Sequence, residues 1–276
     1  MSSRLFSHLR EYGLRDTIER LLCKSTHALL NSGFRKRDAP YLGELAAAAS
    51  SVHLGADGLI SALSGSPILS DDLVKLRHEY EAYRAALMQR YKAVTLAYDA
   101  AFAIEEGSAF VMYALVRLLR PSIVLETGVA NGHSSALILN ALGENGCGEL
   151  HSVDVSDDVG DLIVDRRNWH LHLLDSSSLK KSFAAIVARL PTIDLMVHDS
   201  DHSYQWMRYE LETVLPRMSS GGVLACDDAN ICYGMLDFCA AHRMKPLLLV
   251  ETRKVFGVLP LGPIHLRLPQ IRLTRA

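Results

Sequence analysis

Two short runs of this chain collect side chains suited to acid–base and cation chemistry. The apolar run Ile193 to His198 leads into Asp199-Ser200-Asp201-His202, and Gly221 to Cys226 leads into Asp227-Asp228. Both runs have strand length, and open α/β sheets bind ligands beyond the carboxyl ends of their strands. If the two strands are neighbours, four carboxylates crowd one rim. Like charges at such range raise one another's pKa or recruit a cation. An oxygen-rich set with few nitrogens suits Mg²⁺, which takes a few carboxylates and completes its octahedron with water and substrate oxygens. Each residue also has a plainer role. Asp227 or Asp228 could cap a following helix, Asp201 could do so at Ser203-Tyr204, and His202 could be a solvated loop imidazole.

Upstream, Ile123 to Thr127 reads as a buried strand, Gly128 to Gly132 as a tight small-residue turn, and Ser134 onward as a helix. Gly128 and Gly132, with Ala130 between them, let backbone N–H groups approach an anionic ligand, and the helix N-terminus adds partial positive charge. This is the layout of a nucleotide-cofactor loop. The spacing Glu126-x-Gly128-x-Ala130-x-Gly132 fits a dinucleotide fingerprint poorly, because that motif needs G-x-G-x-x-G. The next strand, Glu149 to Val153, runs into Asp154, 22 residues beyond Gly132. A carboxylate there can accept both ribose hydroxyls of an adenosine. A third run, His170 to Leu174, ends at Asp175-Ser176-Ser177, where Asp175 is equally suited to capping the next helix.

The loop resembles the first motif of class I S-adenosylmethionine (SAM) methyltransferases. Together with the acidic rim, it makes the chain similar to metal-dependent O-methyltransferases of that fold, over roughly residues 100 to 260. It resembles the catechol and caffeoyl-CoA enzymes in motif, and more closely the macrocin and mycinamicin sugar O-methyltransferases and the cephalosporin-pathway group. Glu105-Glu106-Gly107-Ser108-Ala109-Phe110 is similar to a caffeoyl-CoA-type Glu-Gly-x-Phe helix start, with the phenylalanine one residue late.

The resemblance implies SAM as cofactor, with the Glu126–Ser135 loop around its methionine end, Ser134 at its carboxylate, and Asp175 and Ser176 near the adenine. It implies Mg²⁺ or another divalent ion on Asp199, Asp227 and Asp228. The catechol-type enzymes have Asp-Asn at that pair, so this chain carries one more negative charge. His202 falls where the sugar enzymes place a histidine base, and Asp201 would orient it or touch substrate. The implied reaction moves a methyl group to a hydroxyl of a small molecule, such as a sugar, a catechol or another natural product. SAM's sulfonium is already a strong donor, so the protein must orient a nucleophile and remove its proton. Two rivals stay open: a metal-independent N-methyltransferase whose carboxylates steer a cationic substrate, and a SAM-fold binding or assembly module without catalysis.

The elements that must position these residues divide the chain in two. Residues 1–115 read as a helical region, a cap or oligomer interface, and residues 116–276 as the methyltransferase domain. In the first part, Arg15 to Leu30 is an amphipathic candidate, and residues 50 to 66 suggest short helices joined by turns. Ser70-Asp71-Asp72 marks a helix start, followed by a stripe of Leu73, Leu76, Tyr80, Tyr83 and Leu87. In the second part, strands at 122–126, 149–154, 170–174, 193–198 and 222–226 alternate with helices at 132–142, 178–190 and 203–215, which predicts a mostly parallel, Rossmann-like α/β sheet. Residues 246–251 and 255–259 predict a terminal antiparallel hairpin.

A net charge of −2 excludes the basic surplus usual in nucleic-acid binders, and no apolar run approaches the ~20 residues that span a bilayer. No signal-peptide core opens the chain. Five cysteines without a C-x-x-C pair argue against a disulfide framework or structural zinc. The expectation is a cytoplasmic homo-oligomer with a small-molecule acceptor and no nucleic-acid or membrane partner.

Overall fold

A computed structural model of the chain describes residues 38–64, 70–99 and 103–263. In chain order the helices are α1 (Asp38–Ala48), α2 (Ala56–Ser64), α3 (Ser70–Ala93), α4 (Glu106–Leu119), α5 (His133–Asn145), α6 (Leu179–Arg189), α7 (Tyr204–Val214) and α8 (Gly234–His242). The strands are β1 (Ser51–His53), β2 (Ile123–Thr127), β3 (Glu149–Asp154), β4 (Trp169–Leu173), β5 (Ile193–His198), β6 (Met218–Cys226), β7 (Leu247–Val250) and β8 (Val255–Pro260). They form one sheet in the order β1-β7-β8-β6-β5-β2-β3-β4. β8 runs antiparallel to β6 and β7, and the other pairings are parallel. The sheet is therefore the mixed, Rossmann-like α/β architecture expected, closed by its antiparallel hairpin.

Burial on both faces explains the apolar strands. α2, α3, α4 and α5 cover one face and share a core with Val124, Leu150, Leu195 and Val223. α1, α6, α7 and α8 cover the other with Leu125, Met196 and Leu224. Residues Ser108 to Leu118 of α4 are all buried, the pattern of a helix enclosed on every side. The α3 stripe supplies part of that enclosure: Leu76, Tyr80 and Leu87 are buried, and Leu73 and Tyr83 pack partly buried beside them. Tyr80 lies 5.2 Å from Phe110 and 5.6 Å from Tyr113, between ring centroids. Burying each such side chain contributes about 1.5–3 kcal/mol. Buried Arg117 ties the layer together through Glu79 (2.5 and 3.0 Å).

Three details depart from the sequence expectation. Residues 51–53 form a strand, not a turn between helices; it adds to β7 with Ser51 opposite Leu247. Three residues carry no alternation to read, and only main-chain pairing fixes them. β6 begins at Met218, not Gly222, because an irregularity lets Met218 pair with Ile193 while Val223 pairs with Leu195. The expected division at 115/116 falls inside α4. Arg15 to Leu30 lies outside the described residues.

Candidate active site

β5, β2 and β6 place the chemistry. β2 and β5 are neighbours, as are β5 and β6, so the segments after Thr127, His198 and Cys226 emerge side by side. Main-chain bonds continue past the strands: Asp199 N–H donates to Thr127 O and Asp227 N–H to His198 O, both at 2.9 Å. A cleft of about 490 Å³ opens there, lined by Gly128 to Asn131, Ser134, Asp154, Asp199, His202, Asp228 and Lys254.

The loop is held from below. Glu126 is fully buried and accepts hydrogen bonds from Ser134 (2.5 Å), Ser135 (2.6 Å) and Ser152 (2.7 Å). Burial pushes the Glu126 pKa up, against the pull of those hydroxyls. Glu126 and the Ser134 hydroxyl thus brace each other under the turn. Gly128 has φ +83°, and a Cβ there would lie 2.1 Å from the Asp199 carbonyl oxygen. Only glycine lets the loop pass that close to the acidic rim. Gly132, at φ +81°, packs against Gly160, whose Cα would lie 2.9 Å from a Cβ there, while Ala130 takes the left-handed region at φ +46°. Asp154 Oδ2 accepts from Val129 N–H (2.8 Å), and Oδ1 accepts from Val155 (2.7 Å) and Ser156 (3.0 Å), so its carboxylate is fixed at the cleft wall.

On the rim, His202 Nε2 lies 3.7 Å from Asp199 Oδ1 and 3.5 Å from Asp228 Oδ2. Lys254, in the turn between β7 and β8, stands among the carboxylates: its Nζ is 2.5 Å from Asp227 Oδ2 and 3.0 Å from Asp228 Oδ2. Burial and Asp227 raise the Asp199 pKa well above the usual carboxylate range, against Lys254. Burial likewise raises Asp227. Burial alone would lower Lys254, but Asp227 and Asp228 hold it above the normal lysine value. The turn is clamped to α4, where Glu251 accepts from the N–H groups of Gly107 (2.7 Å) and Ser108 (2.9 Å) at the helix N-terminus.

Behind the rim, buried Glu210 accepts from Thr127 (2.7 Å) and Ser200 (2.9 Å) and lies 2.6 Å from His198 Nδ1. The His198 ring stands edge-on to His202, 5.3 Å between centroids. At the other end of the cleft, Tyr91 of α3 pairs with His133 Nδ1 at 2.8 Å. Asn131 exchanges hydrogen bonds with the Tyr98 backbone, both 2.9 Å. The helical N-terminal part therefore supplies cleft wall.

The structure brings Gly128, Ala130, Ser134, Asp154, Asp199, His202 and Asp228 to one cleft, with Asp227 directly behind. It does not bring in five others: Glu126 lies buried beneath the loop and Gly132 faces Gly160, both outside the cleft-lining set, and three more lie elsewhere. Asp201 is exposed and accepts from Ser203 N–H at 3.0 Å, while Ser203 itself caps α7. Asp175 is exposed and accepts from Ser177 N–H (2.9 Å) in a local turn before α6, and Ser176 sits beside it, outside the cleft-lining set. Neither Asp227 nor Asp228 caps α8, which begins only at Gly234. Sequence reasoning missed Lys254, His198 and Glu210. A lysine in a hairpin turn gives no chemical signal until the hairpin is laid beside β6.

The rim's donor set fits a divalent cation. Asp227 Oδ1 is buried without a hydrogen-bond partner, and three carboxylates less one ammonium leave two negative charges.

The family model of a methyltransferase domain matches residues 125–229. No curated protein sequence matches the chain. Among solved structures, an O-methyltransferase from Bacillus cereus in complex with SAH is 15% identical, covering 74% of this chain and 96% of that one at a TM-score of 0.46. A methyltransferase from Geobacter sulfurreducens is 16% identical over 64% and 87%, at 0.47. MycE of mycinamycin biosynthesis, in complex with Mg, SAH and mycinamycin VI, is 17% identical over 51% and 45%, at 0.39. The matched segment, residues 125–229, runs from within β2 to just past β6 of the sheet and includes the glycine loop and the acidic rim.

Proposed function

We propose that the protein is a SAM-dependent O-methyltransferase acting on a hydroxyl of a small molecule, with a divalent cation on Asp199, Asp227 and Asp228. One observation carries this reading: the imidazole of His202 lies within 3.7 Å of Asp199 and 3.5 Å of Asp228, in the cleft that the glycine loop also lines. SAM would lie over Gly128 to Gly132, with the adenosine ribose at Asp154.

A bound divalent ion would supply acidification of an acceptor hydroxyl. His202 Nε2 is the group placed to take the proton, and a positioned base contributes about 10²–10⁴ in rate. His198 and Glu210 back the His202 ring, and Glu210 also holds Ser200 beside Asp199, so they are positioning residues. Tyr91 and Tyr98 line the far end of the cleft.

Calorimetric titration with SAM, with and without excess chelator, tests the reading together with methyl transfer in the same solutions. SAM binding that survives chelation while methyl transfer is abolished is the expected result. Full transfer in chelator favours a metal-independent enzyme in which Lys254 alone compensates the rim. No SAM binding in either solution favours a module without catalysis.

A further inference from the structure

We propose that Glu149, His151 and His170 form a second metal site, for one transition ion of the Zn²⁺ class, on the β3–β4 edge of the sheet. The strand period makes the group. Glu149 and His151 point to one face of β3, and His170, directly opposite His151 in the register, joins them from the edge strand β4. Leu150 and Trp169 point to the other face, into the core. Asp154, on the cofactor rim, is three residues past His151, about 10 Å along the strand.

Among the described residues, these three are a group whose ligating atoms all lie within 4.8 Å of one another. His170 Nε2 is 3.4 Å and His151 Nε2 3.6 Å from Glu149 Oε2. A tetrahedral ion with bonds near 2.1 Å separates its ligands by about 3.4 Å, so the spacing is already close to that required. Two imidazoles and one carboxylate leave a fourth position for water, the composition that suits zinc more than the hard ions.

The His151 ring is prepared for this role. Its Nδ1 lies 2.9 Å from His172 Nε2, and its Nε2 is buried without a hydrogen-bond partner. With the proton on Nδ1, donated to His172, the Nε2 lone pair faces Glu149 and His170. An outer partner that fixes the tautomer in this way is a regular feature of metal-bound histidines.

Zinc chloride titrated into the full chain against a chromogenic chelator tests the site. An Asp199→Asn/Asp228→Asn background removes the acidic rim; wild type saturated with Mg²⁺ serves if that variant does not fold. One Zn²⁺ per chain is expected in either case. His170→Ala and Glu149→Gln, both at half-exposed side chains where folding is little at risk, should each weaken it at least tenfold. His172→Ala should weaken it about 10- to 100-fold through the tautomer. Failure to take up zinc, or uptake indifferent to both ligand substitutions, overturns the proposal. Neither result bears on methyl transfer, which uses the other site.

Discussion

Lys254→Met removes the ammonium that stands inside the acidic rim. The Lys254 side chain is 13% exposed and that of Asp227 is wholly buried, so the substitution leaves a buried carboxylate whose Oδ1 already has no partner. Breaking a buried pair from one side costs about 3–5 kcal/mol, far above the value of a surface pair. At about 2–4 °C per kcal/mol for a domain of this size, the midpoint should fall by about 10 °C. The assay is thermal and urea unfolding in excess chelator and again with Mg²⁺. The variant should be strongly destabilised in chelator and recover part of the loss with the ion, because the rim then holds three uncompensated charges and the ion's binding is linked to folding. Arg253→Met, one residue away and paired with Glu105 at the surface, should change stability by less than about 1 kcal/mol. A Lys254→Met protein as stable as wild type in chelator would refute the charge-compensation argument.

Gly128→Ala should destabilise the fold by about 2 kcal/mol or more and lower SAM affinity, since an alanine at φ +83° is strained and its Cβ meets the Asp199 carbonyl. Gly143→Ala, in α5 with open space around it, should instead stabilise by about 0.5–1 kcal/mol, and urea melts of the two separate local strain from a general effect. Asp154→Asn should weaken SAM binding by about 1–3 kcal/mol in calorimetry, the scale of hydrogen bonds to a charged group; unchanged affinity removes Asp154 from the ribose site. Burial pushes the His133 pKa down to about 4. Between pH 6.5 and 4 the unfolded chain takes up that proton and the folded one does not, so stability falls as pH falls, by up to about 3 kcal/mol at the low end. His133→Asn should flatten that part of the pH–stability curve, and an unaltered curve would contradict the burial argument.

Much of the scaffold was legible because strong local signals agree with the tertiary outcome. Ile123 to Ser135 reads as strand, turn and helix from five apolar or buried positions and small residues at 128, 130 and 132. The rim was legible for a different reason: Asp199 and Asp227 each end an apolar run, and β5 and β6 prove to be neighbours. What local sequence cannot specify is the direction in which a polar side chain turns. Glu126 sits in the motif but turns inward to three serines, and Asp175 and Asp201 satisfy local backbone N–H groups. Lys254 joins Asp227 only through a hairpin folded back across the sheet, and Glu210 reaches His198 from the middle of an amphipathic helix where it reads as a surface acid. Residues 51–53 became a strand because β7 offered an open edge.

The most direct test of the account is methyl transfer from labelled SAM to panels of catechols, glycosides and phenolic metabolites, followed by mass spectrometry in wild type and His202→Ala. The account predicts a product heavier by one methyl on oxygen, and a turnover about 10²–10⁴ lower in the variant with SAM and metal affinities little changed. A folded His202→Ala protein with the wild-type rate and pH profile, or transfer only to nitrogen, would contradict it.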